Sequence, residues 1–524
     1  MKKFLVILMA ICMMASMLCV PAFAAESADE LPAPASDVVI RVTARDKKTA
    51  EDVLIQDYTE FDEGWEGAID FAKDEGNREK YSRVIVDFYG DWTANEDGEF
   101  GDSWRFGSNW GDGFQYSTIY IPDDVRITLN LNGHTIDRDL EESENDGEVI
   151  YIDEGADVII NNGTIKGGKS TNGAGGIHIH DANVELNGVH IVGNVSDNDD
   201  GGGIALYDGA QLIMTRGSFR DNTTDGIEGS GIGDWECMGA AIYIEDSKAI
   251  FSNVEFKNNQ NTTDSDYGAA IYVNDGVAYI DKCTFDGNGI KDDAKGYKPS
   301  LSIIHAEDST VKVEKSTFTN NGYNYHNLQH SPMGGALTGY ESAMFTLESS
   351  TLKVLNGCKF TNNATFQMFE LQNGTSSIFV SDATFTDNGS SIISAGRSLA
   401  EDSYFRNCTF NNNLMTKPEM FHQFNQDYTA LSFYAEDCTL TLEGCNMGNS
   451  TYDGLENIKF VDCENAPNAN ARRYGSIFGE GSLALIVAFV ALIASVASIV
   501  VNLYTKKQLA PVAANNAKEA EDEE

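Results

Sequence analysis

Acidic residues recur at one position of this sequence, with a spacing that could bring their carboxylates together. An acid stands four residues after each of seven aligned apolar residues, at Glu154, Asp181, Asp208, Asp246, Asp275, Asp308 and Asp437. If the intervening segments stack as coils, these side chains lie about 5 Å apart along one turn. Two interpretations stay open. In the first, a calcium ion bound by Asp181, Asp208, Asp246, Asp275 and Asp308 relieves the repulsion between their carboxylates. In the second, no metal is bound and each Asp side chain bonds its own backbone in a tight turn.

Aromatic residues occur in segments whose length varies between repeats. The link from one unit to the next is 12 residues from Ile165 to Ile177 but 23 from Phe219 to Ile242. Insertions that collect on one face of a repeat protein often mark its binding face. The side chains that we predict to bind ligand there are Trp235, Tyr267, Tyr297, Tyr323, Tyr325 and His326. Such rings suit an extracellular glycan or protein partner; packing against the body of the protein is the alternative.

A pair of neighbouring acids is the main sign of an enzyme. Asp199 and Asp200 are adjacent, and glycoside hydrolases use two carboxyl groups, one as the acid and one as the base or nucleophile. A polysaccharide lyase needs a cationic base, and we find no cluster of Arg and Lys along one strand. His178 and His180 alternate with two Ile residues, which predicts that both imidazoles face the same side of a strand, towards solvent.

A repeat must position these residues. A Phe is followed three residues later by an Asn at Phe219/Asn222, Phe256/Asn259, Phe285/Asn288, Phe318/Asn321, Phe360/Asn363, Phe385/Asn388 and Phe410/Asn413. Most of these pairs follow a Gly/Ala-rich opening such as Gly268-Ala269-Ala270-Ile271. A unit that recurs every ~20–50 residues cannot bury its own apolar face and must stack on its neighbours. The repeat therefore predicts a solenoid.

Within each unit the pattern is that of β-strands. Core-type apolar residues stand at every second position in short runs, as in Ile271-Tyr272-Val273 and Ala278-Tyr279-Ile280, which is typical of a strand with one buried face. We predict an all-β fold, a parallel β-helix over residues 121–465. The anchor positions of its coils number eleven: Ile136, Ile165, Ile191, the seven repeat Phe residues and Met447. Eleven coils imply a rod on the order of 50 Å long.

The repeat resembles those of known surface proteins. The pairing of an opening such as Gly334-Gly335-Ala336-Leu337 with Phe-x-x-Asn is similar to the repeats of chlamydial polymorphic membrane proteins. With the segment LNLNGHTI at 129–136, the wider pattern resembles right-handed parallel β-helix proteins of the pectin-lyase-like superfamily. The resemblance implies a right-handed coil, surface display and adhesion. It supplies no catalytic residues.

Both ends of the chain carry apolar segments that predict targeting. Residues 1–25 combine two Lys residues, an apolar run and a small-x-small cleavage site, which is typical of a secretory signal peptide. Residues 482–504 are uncharged and long enough for one transmembrane helix. Two Lys residues follow, which favours a cytoplasmic tail over 505–524. We predict a single-pass protein of the cell membrane with an extracellular ectodomain, joined to the membrane helix by a linker over 466–481.

Residues 26–120 are predicted to cap the N-terminal end of the solenoid, because an open sheet edge invites aggregation. The pattern of residues 62–77 is that of an amphipathic helix. Its apolar side carries Trp65, Ala68, Ile69 and Phe71. The segment Arg83–Phe88 has the pattern of a strand. Residues 91–117 contain three Trp residues, which either belong to the cap or offer rings to a sugar.

Charge and cysteine content narrow the choice of partner. The chain has 81 acidic and 36 basic residues, a net charge of −45, and so acidic a surface repels nucleic acid and anionic lipid. An apolar content of 42% argues for a folded core and against disorder. Four Cys residues stand two positions before an anchor, which predicts compact apolar fillers. Cys438, Cys445 and Cys463 could form one disulfide.

These features favour binding at the cell surface. We predict a bacterial adhesin or a glycan- or protein-binding β-helix that is anchored in the membrane. The alternative is a polysaccharide lyase or glycoside hydrolase of the pectin-lyase-like superfamily, so the presence of an enzymatic activity stays open. A purely structural coat protein is a third hypothesis.

Overall fold

The computed structural model describes residues 31–467 apart from 96–99, 101–105, 108–114, 117, 141–146, 172, 198, 226–236, 262–267, 291–301, 323–342, 366 and 414–431. The predicted signal peptide, membrane helix and tail lie outside the described residues, as does the linker after Pro467. Contacts divide the chain into Met1–Ala466 and Pro467–Glu524, and the described elements belong to the first unit. No helix of the described part is both long and apolar enough to cross a bilayer.

The described residues between 119 and 464 wind into stacked coils of short strands. One coil comprises Ile271–Asn274, Val277–Asp281, Thr284–Asp286 and Gly289–Ile290. Each strand pairs in parallel, and in register, with the equivalent strands of its neighbouring coils. Ile271, for example, lies beside Ile242 of the preceding coil and Ile304 of the following coil. The chain is therefore a parallel β-helix, as its repeat predicts.

Equivalent strands of successive coils form sheets. We number the sheets in the order in which the chain enters them within one coil, so that sheet 1 contains the first strand of each coil. Among the described residues, twelve strands form sheet 1: Ile119–Ile121, Ile150–Ile152, Ile177–His180, Ile204–Tyr207, Ile242–Glu245, Ile271–Asn274, Ser302–Glu307, Ala343–Glu348, Gln367–Leu371, Ser391–Ala395, Phe433–Ala435 and Tyr452–Asp453. Sheet 3 consists, in the same part of the chain, of Lys169–Ser170, Val195–Asp197, Thr223–Asp225, Gln260–Asn261 and Gly289–Ile290.

Sheet 2 contains the other coil strands, and most coils contribute two successive strands to it, such as Val277–Asp281 and Thr284–Asp286. Its coil strands are Arg126–Asn130, Thr135–Asp137, Asp157–Lys166, Asn183–Val192, Gln211–Thr215, Ser218–Arg220, Lys248–Ser252, Glu255–Lys257, Val277–Asp281, Thr284–Asp286, Thr310–Glu314, Thr317–Thr319, Thr351–Leu355, Lys359–Thr361, Ser377–Ser381, Thr384–Thr386, Tyr404–Arg406, Thr409–Asn411, Leu440–Glu443 and Ile458–Val461. A short pair, Phe106–Gly107 with Gln115–Tyr116, and a 3-10 helix at Leu455–Asn457 lie outside these sheets.

Identical side chains stack in the core. The rings of Phe256 and Phe285 lie 4.5 Å apart and are parallel within 1°, and Phe285 stacks on Phe318 over the same distance. All eleven predicted anchors occupy equivalent positions on neighbouring coils and are buried. Aromatic pairs contribute about 0.5–1.5 kcal/mol beyond the area that they bury. The predicted register is confirmed.

The Asn of each repeat forms a ladder beside the Phe stack. From Asn194 to Asn413, the Nδ2 group of each Asn donates to the Oδ1 atom of the next, over 2.7–3.1 Å. Each also donates to a backbone carbonyl of the preceding coil; Asn288, for example, donates to Phe256 over 2.9 Å. An unsatisfied buried amide would cost about 1–3 kcal/mol. The ladder explains why a buried position recurs as Asn.

An antiparallel unit precedes the first coil. It consists of strands Ile40–Asp46, Asp52–Tyr58 and Tyr81–Phe88, the short strand Trp92–Thr93, helix α1 at Phe61–Lys73 and helix α2 at Glu75–Lys80. The strand Tyr81–Phe88 also pairs in parallel with Arg126–Asn130 of the first coil, which joins this unit to the β-helix.

The N-terminal unit buries the apolar side of α1. Trp65, Ala68 and Ile69 are fully buried, as predicted, and Phe71 is half-buried. The predicted single helix over 62–77 is wrong in its end. The helix ends before Asp74, whose backbone is extended. The Asp74 side chain caps α2 by accepting a hydrogen bond from the backbone N–H of Asn77 over 2.8 Å.

Candidate functional site: the outer face of sheet 1

The predicted acids lie in the turn that follows sheet 1. Asp181, Asp208, Asp246, Asp275 and Asp308 all have a left-handed backbone, with φ between 41° and 58°, and all are exposed. Asp tolerates this conformation better than most residues because its short side chain bonds locally. The recurring acid therefore has a sufficient cause in the turn itself.

The calcium hypothesis stays a prediction. Within the described ranges, no three or more His, Cys, Asp or Glu side chains are grouped so that they could hold a metal ion. Glu154 is exposed, and Asp437, also left-handed, pairs with Arg397 over 2.7 Å.

Seven rings run along the outer face of sheet 1, and we call them the aromatic ladder: Tyr120, Tyr151, His178, Tyr207, Tyr243, Tyr272 and His305. Successive ring centroids lie 5.9, 4.6, 5.0, 5.5, 5.6 and 4.7 Å apart. Six of these residues occupy the same register position. On the fourth coil of the series that position holds Ala205, and the ring of Tyr207, two residues further along the same strand, fills the gap between His178 and Tyr243.

The ladder is open at one end and closed at the other. Tyr243, Tyr272 and His305 are only 5%, 4% and 2% exposed. Tyr120, Tyr151, His178 and Tyr207 are half-buried, so a ligand can reach the part of the ladder that lies nearer the N-terminus.

Carboxylates flank the rings of the ladder. The Tyr120 hydroxyl donates to Asp153 Oδ2 over 2.5 Å, and the Tyr272 hydroxyl donates to Glu307 over 2.9 Å. His180 lies between two acids, with Nε2 3.0 Å from Asp208 Oδ2 and Nδ1 3.7 Å from Asp153 Oδ1. The accessible end of the ladder thus combines ring edges and hydroxyls with negatively charged oxygens.

Burial favours the neutral form of the five Tyr residues of the ladder and of His178. Desolvation, and after it the charge of nearby carboxylates, raises the pKa of each Tyr hydroxyl of the ladder above its ordinary value. Desolvation also lowers the pKa of His178 to about 4, and the charge of His180 adds to this. His178 and His180 lie on the same, outer side of their strand, as predicted, but the ring of His178 is half-buried because it stacks between Tyr151 and Tyr207.

The predicted acid pair lies beside the ladder. The Oδ1 atom of Asp200 accepts from the backbone N–H of Met238 over 2.7 Å, and Asp199 accepts from the backbone of Asp200 over 2.8 Å. The charges of both raise the pKa of Tyr207 and Tyr243. The pair is thus held in place at the entry to sheet 1.

The segments of variable length share a position in the sequence. The long links between coils, such as those containing residues 226–236 and 323–342, each precede a strand of sheet 1 in the sequence. This confirms that length variation falls in one turn. The predicted ligand residues Trp235, Tyr267, Tyr297, Tyr323, Tyr325 and His326 lie outside the described residues, so their role stays a prediction.

Sequence reasoning missed the ladder although a signal was present. Ile119-Tyr120-Ile121, Ile150-Tyr151-Ile152 and Ile242-Tyr243-Ile244 each place a Tyr between two core residues. The alternation of a strand turns that Tyr to the outer face. Recurrence of the triplet at one register position predicts a column of rings.

Comparison with known proteins supports the fold. Residues 231–415 match the family model of the right-handed beta helix region. No curated protein and no solved structure matches the chain. The right-handed parallel β-helix and its repeats are therefore supported, whereas the likeness to chlamydial and pectin-lyase-like proteins stays a prediction.

The cysteines of the repeat lie in the core. Cys283, Cys358, Cys408 and Cys445 are buried in the core, as predicted for compact fillers. Cys445 lies between Cys408 and Cys463 on adjacent coils. The structure contains no disulfide among its described cysteines, in contrast to the suggested bridge.

Proposed function

We propose that the protein is a cell-surface binding protein that takes up a neutral glycan along the outer face of sheet 1. The aromatic ladder carries this proposal. Its accessible end presents Tyr hydroxyls, which stay protonated, beside carboxylates that accept hydrogen bonds from sugar hydroxyls. A few convergent polar groups on an apolar surface are typical of ligand sites.

The charge of this face selects among glycans. Asp153, Asp199, Asp200 and Asp208 lie at or beside the accessible rings. Like charges repel, so a uronate or sulfate polymer is disfavoured on this face. Four rings on successive coils span about 15 Å at ~4.8 Å per coil, which suits a short run of linear glycan lying along the coil axis.

The proposal is tested by binding of a neutral glycan chain. The full-length protein is screened on a glycan array, and the affinity for the best neutral ligand is measured by calorimetry. Tyr207→Ala should weaken binding about tenfold, or ~1.4 kcal/mol. Tyr207→Phe measures how much of this binding free energy depends on the hydroxyl group. Tyr279→Ala is the matched control, because Tyr279 is a half-buried ring on the outer side of sheet 2.

Two outcomes would overturn this function. One is that no neutral glycan binds. The other is that Tyr207→Ala and Tyr279→Ala change the affinity equally, which would mean that the ladder does not contact the glycan.

A glycan-cleaving enzyme is the second candidate, and the position of His180 between Asp153 and Asp208 favours it. An imidazole so placed can transfer protons, and two neighbouring carboxyl groups are what hydrolases use. Chain shortening of a bound glycan, lost in His180→Ala while binding persists, would establish the enzyme. Intact chains after prolonged incubation support the binding protein.

The placement of the protein is part of the proposal. A cleaved signal over residues 1–25 and a membrane helix over 482–504 would present the β-helix outside the cell. The N-terminal unit would cap the first coil. This is supported by its strand pairing with Arg126–Asn130 and by Trp92, which pairs with Ile136 and stacks on Phe61.

A further inference from the structure

Four cationic side chains meet in one cleft of this strongly acidic protein. Lys47, Arg78, Arg83 and Arg126 line a cleft of about 250 Å³ between the N-terminal unit and the first coil. They come from three separate parts of the sequence, which is why no cluster of basic residues was found along a single strand. One acid, Asp124, shares the lining.

Three of these cations are held in place by hydrogen bonds to the fold. The Nη1 atom of Arg83 donates to the backbone carbonyls of Ile127 and Asp157, over 2.8 and 2.9 Å, and its Nη2 atom pairs with the Asp157 carboxylate over 2.6 Å. The Nε atom of Arg78 donates to the Ala72 carbonyl at the end of α1, over 3.0 Å. The Lys47 ammonium donates to the Arg78 carbonyl, so the cleft wall is preorganised.

The remaining charge is not neutralised within the described structure. The only carboxylate that pairs there with any of the four is Asp157, on Arg83. Arg126 is exposed and makes no ion pair with any described residue. Positive charge held unpaired in a cleft raises the local concentration of anions.

The cleft also offers apolar surface. Phe71 and Tyr81 line it, with ring centroids 5.5 Å apart. Asn77 and Ser82 add polar groups. The volume is just under the ~300 Å³ at which pockets for drug-sized ligands begin, which suits a single sugar-sized ring.

We propose that this cleft binds a small ring-shaped ligand that carries an oxyanion, such as a uronic acid or a sulfated sugar unit. Arg126 and Arg78 would pair with the carboxylate or sulfate, since guanidinium groups bind planar oxyanions through paired hydrogen bonds. Phe71 and Tyr81 would contact the ring. This site is separate from the aromatic ladder and has the opposite charge.

The test compares acidic and neutral forms of one sugar. Galacturonate, galactose 6-sulfate and galactose are titrated into the full-length protein at physiological salt. We expect at least one of the acidic sugars to bind tenfold or more tightly than galactose. Arg126→Glu should lower that affinity at least tenfold. Lys359→Glu, an exposed cation on a distant strand, makes the same charge change and should alter it less than twofold.

Three controls make the test decisive. Unchanged melting of Arg126→Glu shows that a loss of binding is not unfolding, and Arg126→Lys should restore part of the affinity. Tyr207→Ala should leave the binding of acidic sugars unchanged, which separates this site from the ladder. The proposal is overturned if neither acidic sugar binds better than galactose, or if Arg126→Glu and Lys359→Glu act alike.

Discussion

His178 is an ionisable residue that the fold keeps neutral. Its ring lies 4.6 Å from Tyr151 and 5.0 Å from Tyr207, and desolvation lowers its pKa to about 4. In the unfolded chain a His titrates near ~6.5. Between these two values the unfolded state binds a proton that the folded state does not, so stability rises with pH in that window.

We therefore expect a pH-dependent loss of stability that depends on His178. The contribution of the neutral ring is fully present above pH ~6.5 and is lost as the pH falls towards about 4. Melting temperatures of the wild type and of His178→Phe, measured from pH 4 to 7, should diverge at the acidic end, with the wild type falling more steeply. Tyr151→Phe, which removes a hydroxyl of the same ladder, should keep the wild-type slope. Parallel curves for the wild type and His178→Phe would contradict this.

The roles of individual residues were harder to predict from the sequence than the strands or the fold. The stacked Phe and Asn residues follow from the sequence because the Asn stands three residues after the Phe in every repeat. The ladder mixes Tyr with His, and Tyr207 enters it from a different register position. Its members share a surface without sharing a motif. The cationic cleft is harder still, because Lys47 and Arg126 meet only through the pairing of the N-terminal unit with the first coil.

The turn after sheet 1 is the element that decides between the two interpretations of the acid row. The acid row is the set of exposed Asp residues in this turn, and we take Asp275, whose φ is 48°, as its representative. If its role is to adopt this turn, Asp275→Asn and Asp275→Gly should change stability by less than ~0.5 kcal/mol, because both residues accept a left-handed backbone. Asp275→Val should cost about 1–2 kcal/mol. Urea unfolding of the three variants measures this.

Calcium provides the control for the same element. If the acids serve the turn alone, millimolar calcium should raise the melting temperature no more than sodium chloride of equal ionic strength. A larger rise that is lost in a double variant, Asp246→Asn with Asp275→Asn, would contradict turn chemistry and establish a calcium site instead.

Elements were predictable where their length is constant. The strand spacing within a unit, such as 14 residues from Ile271 to Phe285, gives the register that the structure confirms. The N-terminal helix was predicted in place but not in length, because the break at Asp74 depends on a local cap. Element boundaries depend on such single hydrogen bonds, which periodicity does not show.

At the scale of the molecule, a solenoid places its charges in rows. Each coil lies about 4.8 Å from the next, so an exposed acid at one turn faces the acid of its neighbour. The chain carries a net charge of −45, and repulsion within the folded rod opposes its stability. The stacked Phe and Asn side chains must outweigh this repulsion along the whole rod.

Added salt should therefore stabilise the protein. From 10 to 150 mM salt the Debye length falls from ~30 Å to ~8 Å, which screens repulsion between distant coils more than between adjacent ones. We expect the melting temperature at pH 7 to rise by a few degrees over this range, with sodium and choline chloride acting alike because screening depends only on ionic strength. A fall in melting temperature would show that ion pairs such as Arg397 with Asp437 outweigh the repulsion. A rise with sodium but not choline would indicate cation binding to the acid rows, since general screening cannot distinguish the two cations.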